Sequence, residues 1–350
     1  MSIKRDAIDL GLRMFGATGL HRLAARYTQG RGAILMFHRV RAAPQAGFAP
    51  NAGLEITPEF LDQLLTRLKA QGYALVSMDE AVARIRAGGE ERPFVALTFD
   101  DGYRDTADVA LPILEKHEAP FTVFATTGFA ERTARMWWVE MEEAIAALPA
   151  VRIEAVGRLF DLPAATPEQK QAAFEALYWP LRAGPEDELL RVAGALADEA
   201  GVERIDLVDE LCLNWCGLRK LARHPLVTIG AHTLTHPMLA KHPDAVARRE
   251  IFESKTIIER ETGVQVKHFA YPVGDPGSAA LREFVLARQA GFESAVTTRP
   301  GMIFPEHSGH LTALPRLSVN GNHQSLATLD ILLSGAPFML WNRGRKLSVA

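Results

Sequence analysis

Uninterrupted apolar runs, not strict alternation, mark the strand candidates of this chain, and helical patterns fill the spaces between them. Ala33–His38 (AILMFH), Tyr73–Ser77 (YALVS), Phe94–Phe99 (FVALTF) and Phe121–Ala125 (FTVFA) are such runs in the first half. Leu226–Gly230 (LVTIG), Lys267–Tyr271 (KHFAY), Ser294–Thr298 (SAVTT) and Leu314–Val319 (LPRLSV) follow in the second. A strand covered on both faces has no polar side, so these runs predict a parallel sheet packed by helices. Pro58–Gln71, Asp79–Ala87, Thr106–Glu118, Pro243–Thr262 and Ser278–Ala290 predict the crossover helices. Thr57 stands as an N-cap before Pro58 at the first helical position. Gly72, Gly88, Gly263 and Gly291 lie at or just past helix ends, where a left-handed C-cap favours glycine. Such a pattern fits a (β/α) barrel or an open doubly wound sheet, and alternation alone does not choose between them.

Residues 130–222 break the rhythm. Met136–Leu148, Pro167–Leu181, Pro185–Ala200 and Leu207–Ala222 predict helices, with Val151–Ala155 a short strand candidate. The expected organisation is an N-terminal helical extension (1–32), a barrel in two pieces (33–129 and 223–320), an all-helical insertion beside its active face (130–222), and a C-terminal extension (321–350).

Composition narrows the class. The 350 residues are 48% hydrophobic and 23% charged, which excludes intrinsic disorder. The net charge of −3, from 39 basic and 42 acidic residues, leaves no electrostatic footprint for nucleic acid. Two cysteines, Cys212 and Cys216, make no disulfide framework; four apart, they are expected on one helix as buried thiols. No apolar run reaches the roughly 18 residues of a spanning helix. The opening Met1–Asp6 lacks the apolar core of a secretory signal, so a cytoplasmic protein is expected. Ile3–Tyr27 is amphipathic, with Arg5, Arg13, Arg22 and Arg26 among Ile8, Leu10, Leu12, Met14 and Phe15. Such a segment packs on the barrel, or rests peripherally on the anionic inner face of a membrane.

Two motifs carry chemistry. Thr98-Phe99-Asp100-Asp101-Gly102-Tyr103 ends an apolar run. Adjacent carboxylates raise one another's pKa unless a cation intervenes. On a regular strand they point to opposite faces, but Gly102 can release the backbone so that both turn to one site. His232-Thr233-Leu234-Thr235-His236-Pro237 follows another run, and Pro237 disfavours a helix at His236, which puts both histidines on a loop. Both motifs stand where barrel enzymes keep their catalytic groups, at the C-terminal ends of strands. Two histidines and a carboxylate form a common catalytic zinc set with one position open for water.

TFDDGY and HTLTHP, in that order, resemble the first two motifs of the polysaccharide deacetylases, the NodB-homology group or carbohydrate esterase family 4. The resemblance reaches from Ala33 to about Val319, outside the insertion. It implies a distorted (β/α)7 barrel, with Asp100 as general base and Asp101, His232 and His236 as ligands of a divalent metal, Zn²⁺ first among Zn²⁺, Co²⁺, Ni²⁺ and Fe²⁺. The implied activity is removal of N-acetyl groups from a glycan or glycolipid precursor. A related amide or O-acetyl ester hydrolase, or a degenerate glycan-binding protein, is the alternative. Phe269–Gly274 (FAYPVG) resembles the third motif, which lines the groove and implies that Tyr271 and Pro272 bind substrate beside Tyr103. Ala270 stands where that motif often carries an arginine orienting the base, and Arg316 is the candidate substitute. The late leucine-x-histidine motif is not evident, so His38, ending the first run, is the expected general acid, as in members with permuted motif order. Trp137 and Trp138 open the insertion at a place where the family has paired tryptophans, as exposed indoles for stacking on sugar rings or as core.

Overall fold

Seven parallel strands close on themselves: β1 (Gly32–Phe37), β2 (Phe94–Phe99), β3 (Phe121–Ala125), β4 (Val227–Ala231), β5 (His268–Ala270), β6 (Ser294–Pro300) and β7 (Leu314–Ser318). Each pairs in parallel with the next. The last returns to the first through Leu35–Leu317 and Met36–Ser318. This closure decides for the barrel over the open sheet, and the chain is an α/β protein with a (β/α)7 barrel. The computed structural model describes residues 11, 15, 16, 18–43, 47–88 and 92–349.

The strand Ala74–Val76 does not join the ring as an eighth member. It pairs with residues 94–96 of β2, while β3 pairs with residues 97–99, so the two share one edge. Every residue of β1, β2 and β3 is buried, which is why their sequences show no polar alternation. Phe37 stacks on Phe99 at 5.0 Å, and Phe99 meets Phe121 edge-on at 5.6 Å, within the larger of the hydrophobic clusters.

Several boundaries differ from expectation. Lys267–Tyr271 keeps only His268–Ala270 as strand, and the helix expected from Ser278 begins at Leu281. The helix expected over Thr106–Glu118 divides into a π-type turn, Thr106–Ala110, and a helix, Leu111–Lys116. Pro112 supplies no amide to the i→i−4 ladder, which accounts for the division.

The insertion is not all-helical. Ala150–Ala155 and Arg158–Pro163 form an antiparallel hairpin, with Val151, Ile153 and Ala155 facing inward. Its two-residue turn, Val156–Gly157, has φ of 47° and 73°, the sign a primed hairpin turn requires. A valine in that conformation hides the turn from sequence reading. The helix expected over Leu207–Ala222 is broken between Arg204–Leu211 and Trp215–Ala222, where Asn214 accepts a hydrogen bond from Gly217 N at 3.0 Å and caps the second piece. Cys212 is therefore off the helix, buried with its Sγ 3.6 Å from Met136 Sδ, whereas Cys216 is exposed. Residues 130–222 pack around Trp137, Trp138, Met141, Leu177 and Leu189 in a second hydrophobic cluster that also takes in Tyr103, Phe129 and Met238.

Residues 3–10, 12–14 and 17 of the amphipathic segment Ile3–Tyr27 lie outside the described residues; the described part ends in the helix Leu20–Thr28. Among the described residues, no helix is long and apolar enough to cross a membrane.

Candidate active site

Asp100 keeps the register of β2, its N–H donating to Phe37 O at 3.0 Å. The turn begins one residue later. Asp101 and Gly102 have φ of 69° and 70°, and this pair of left-handed residues brings both carboxylates to one cavity. Aspartate tolerates that region better than most side chains. Across the mouth, His232 N donates to Ala125 O at 2.9 Å and so extends β4. Thr233 and His236 are left-handed as well, at 67° and 63°, so His236 avoids the helical region that Pro237 disfavours. Thr233 Oγ1 accepts from His236 N at 3.0 Å. Glu250 accepts from the amides of Leu234 and Thr235 at 2.8 and 2.9 Å. From the insertion, buried Glu186 accepts from Met238 N at 3.0 Å. Left-handed residues on a loop pinned this thoroughly are a sign of a functional constraint.

The convergence is tight. His232 Nε2 and His236 Nε2 lie 3.4 and 3.2 Å from Asp101 Oδ1. One donor atom from each of the three side chains lies within 4.8 Å of the others. His232 Nδ1 is 2.7 Å from Ala270 O, which places its proton on Nδ1 and leaves the Nε2 lone pair facing the cavity. Among the described residues, nothing hydrogen-bonds the buried Oδ1 of Asp101. An unsatisfied buried carboxylate oxygen is costly, and a cation offsets that cost directly. The donor set fits a divalent ion of the zinc type, with three protein ligands and an open position.

Arg316, buried on β7, grips Asp100 with both terminal nitrogens, Nη1 to Oδ1 at 2.7 Å and Nη2 to Oδ2 at 2.6 Å. Its Nε donates to Thr297 O at 2.9 Å and its Nη1 to Thr98 Oγ1 at 3.1 Å, which fixes the fork in the barrel interior. Burial pushes the Asp100 carboxyl up, but the guanidinium outweighs it and holds the group below the usual range. For Asp101 burial also pushes up, and the imidazoles of His236 and His232 hold it well below that range. Half-buried His38 follows β1 and lines the same cavity. Burial lowers its pKa against the upward pull of Asp100 and Asp101.

Three residues expected to touch substrate do not line this cavity. Tyr103 is buried in the second hydrophobic cluster, its OH accepting from Trp138 Nε1 at 3.1 Å. Tyr271 leaves β5 on the outer face, packs on Phe284 at 5.3 Å and donates to Thr312 O at 2.8 Å. Pro272 is buried beside it, and the lining residue of that loop is Val273. Trp137 and Trp138 do line the cavity, but at 5% and 6% exposure they are packed walls, not free indoles.

The cavity, about 440 Å³, has a wall that the sequence did not assign. Gln171, Phe174, Glu175, Tyr178, Trp179 and Arg182 all line it from the inserted helix Pro167–Ala183. Their spacing of three and four residues is one helical face. Asn51, Leu54, Asn320 and Asn322 line it from the barrel's loops.

Comparison with known proteins agrees with this picture. The sequence matches the family model for polysaccharide deacetylase over residues 87–176 and 190–295, more than half of the chain. The fold is similar to that of the Streptococcus pyogenes deacetylase PplD, solved in complex with acetate, at a TM-score of 0.56 and 19% identity, covering 87% of this chain and 97% of that one. It is similar to IcaB from Ammonifex degensii at a TM-score of 0.53 and 17% identity, covering 87% and 98%. The putative polysaccharide deacetylase BA0330 from Bacillus anthracis gives 0.54 and 16%, covering 86% and 68%. At these identities the likeness is one of fold. No curated protein matches the chain by sequence.

Proposed function

The chain belongs to the polysaccharide deacetylase family and is a carbohydrate deacetylase, and from that premise we propose that it hydrolyses the acetamide of an N-acetylated sugar, in a glycan or glycolipid, at the Asp100–Asp101–His232–His236 site. The observation that carries the reading is the orphaned Asp101 Oδ1 between two imidazole nitrogens, beside a second carboxylate held by Arg316. A divalent cation, zinc first, held by Asp101, His232 and His236 supplies a Lewis acid and an acidified water.

This chain's own residues do the rest. Asp100 is ionised, and Arg316 occupies only two of the roughly four lone-pair directions of its carboxylate, so it accepts the proton of the attacking water. Arg316 orients that base, the role left vacant by Ala270. His38 gives a proton to the departing sugar nitrogen as the C–N bond breaks. Assistance of this kind is worth about 10²–10⁴-fold. The products are acetate and a free amino sugar.

The division into a barrel (33–129 and 223–320) and an insertion (130–222) is part of this reading, with the insertion acting as the wall that governs access. A peripheral contact with an anionic membrane is supported by the helix Leu20–Thr28, where Leu20, Leu23 and Tyr27 are exposed beside Arg22 and Arg26.

The test is a panel of N-acetyl and O-acetyl sugars in which acetate and free amine are both measured. Equal amounts of the two from N-acetyl sugars support the proposal. Acetate without amine identifies an esterase, and neither product, with binding retained, identifies a glycan-binding protein.

A further inference from the structure

The inserted helix does more than narrow the approach to the catalytic side chains. Contacts between separate parts of the chain join into a rim. At its C-terminal end, Arg182 Nη2 pairs with Asp275 Oδ2 at 2.9 Å, on the loop after β5. Lys241 Nζ donates to Arg182 O and Gly184 O, both at 2.6 Å, and ties the same end to the loop after β4. Nearer its middle, Phe174 meets Phe48 edge-on at 6.3 Å. Asn51 Nδ2 donates to Trp138 O at 2.8 Å, linking the segment after β1 to the start of the insertion. That segment is in turn locked to the turn after β7, where a Cβ on Gly321 would stand 2.0 Å from Ala52 O. Thr57 N donates to Gln324 Oε1 at 2.8 Å on the same side. The loop after β5 is joined to the end of β6 by Thr298 Oγ1 donating to Val273 O at 2.7 Å.

A polymer bound along its length needs a groove open at both ends. The geometry instead points to a cup, with the catalytic side chains at its floor and aromatic rings and carboxamides in its sides. Its volume of about 440 Å³ sits low in the range of roughly 300–1,000 Å³ for a drug-sized ligand. Aromatic faces suit the C–H face of a sugar ring, and Asn51, whose Nδ2 donates to Trp138 O and Glu142 Oε2, presents its Oδ1 as an acceptor for a hydroxyl edge. Trp179, half-exposed among the lining residues, is placed to meet whatever follows the bound sugar. We propose that the site is end-selective: a terminal N-acetylated sugar enters it, and internal units of a polymer do not. The proposal rests on the de-N-acetylation reading above.

The experiment uses the full chain with Zn²⁺ and β-1,4-linked N-acetylglucosamine oligomers from dimer to hexamer, with products mapped by mass spectrometry. The expected result is loss of one acetyl group per chain, always from the same end unit, with kcat/KM about the same at every length. Acetyl loss from internal units, or kcat/KM rising about tenfold along the series as further occupied units would produce, overturns it. Arg182→Ala opens the seam to Asp275, and internal loss is expected to emerge in that variant. Release of no acetate from any oligomer defeats the hydrolytic reading, and end selection is then read from tryptophan fluorescence. Quenching by free oligomers that is lost when the hydroxyls of both end units are masked supports the cup. Equal quenching by masked oligomers, or none by any oligomer, overturns it.

Discussion

Arg316 and Asp100, 216 residues apart in the chain, meet as a fully buried pair joined by two parallel hydrogen bonds of 2.7 and 2.6 Å. Both are almost wholly withdrawn from bulk solvent, so each supplies most of the other's solvation, while Asp100 still borders the cavity. Removing one partner from such a pair costs about 3–5 kcal/mol, because the remaining charge stays buried. The fork also fixes which carboxylate lone pairs face the cavity.

Arg316→Lys keeps the charge and loses the fork. We expect metal content to stay at the parent level while kcat falls by roughly 10²-fold, the usual consequence of a misplaced catalytic group. Metal analysis beside steady-state kinetics checks this, and parent-like kcat in the variant would remove Arg316 from the mechanism.

His38→Gln is expected to leave metal binding and fold intact and to lower kcat by about 10²–10⁴-fold with N-acetyl sugars. Substrates with a better leaving group need less protonation and should lose less. An equal loss across leaving groups would argue against His38 as the acid.

Tyr103→Phe and Tyr271→Phe test whether either hydroxyl bears on substrate. The first removes a hydroxyl that accepts from Trp138 Nε1 and the second one that donates to Thr312 O and, at 3.5 Å, to Glu283 O, each at a cost of about 1 kcal/mol in stability. KM and kcat are expected to stay at parent values, and a raised KM in either variant would return that tyrosine to the substrate site.

His307 gives the fold an acid-sensitive point. It is fully buried, and burial lowers its pKa from 6.5 to about 4 while its Nδ1 accepts from Phe304 N at 3.0 Å. A depressed folded-state pKa means the neutral ring is the one the fold accommodates. Its contribution, about 3 kcal/mol, is complete above pH 6.5 and is lost as pH falls through about 4. Urea midpoints at pH 7 and pH 4.5 should diverge more for the parent than for His307→Gln, and equal slopes would contradict the assignment.

What the sequence made legible follows from where burial is uniform. β1, β2 and β3 could be read because both faces are covered and every position is apolar. The hairpin at Val156–Gly157 could not, since a valine occupies a conformation that turn rules reserve for glycine or asparagine. Asp100, Asp101, His232 and His236 stood out as local motifs, and those four side chains converge on one cavity. Arg316 had no local signal beyond its place at the end of a run, because its partner lies on a distant strand. The wall formed by Gln171, Phe174, Tyr178 and Arg182 was hidden for a different reason. A mixed aromatic and polar stripe at helical spacing looks the same whether it faces a core or a cavity.

The central claim is that Asp101, His232 and His236 hold a divalent ion on which hydrolysis depends. Elemental analysis of the purified chain, after reconstitution with Zn²⁺ and removal of excess, tests it most directly when Asp101→Ala and the double variant His232→Ala/His236→Ala are run beside the parent. The account predicts about one ion per chain in the parent, as for a single three-ligand site, and none in either variant. A parent that retains no ion, or variants that retain it undiminished, would contradict the account.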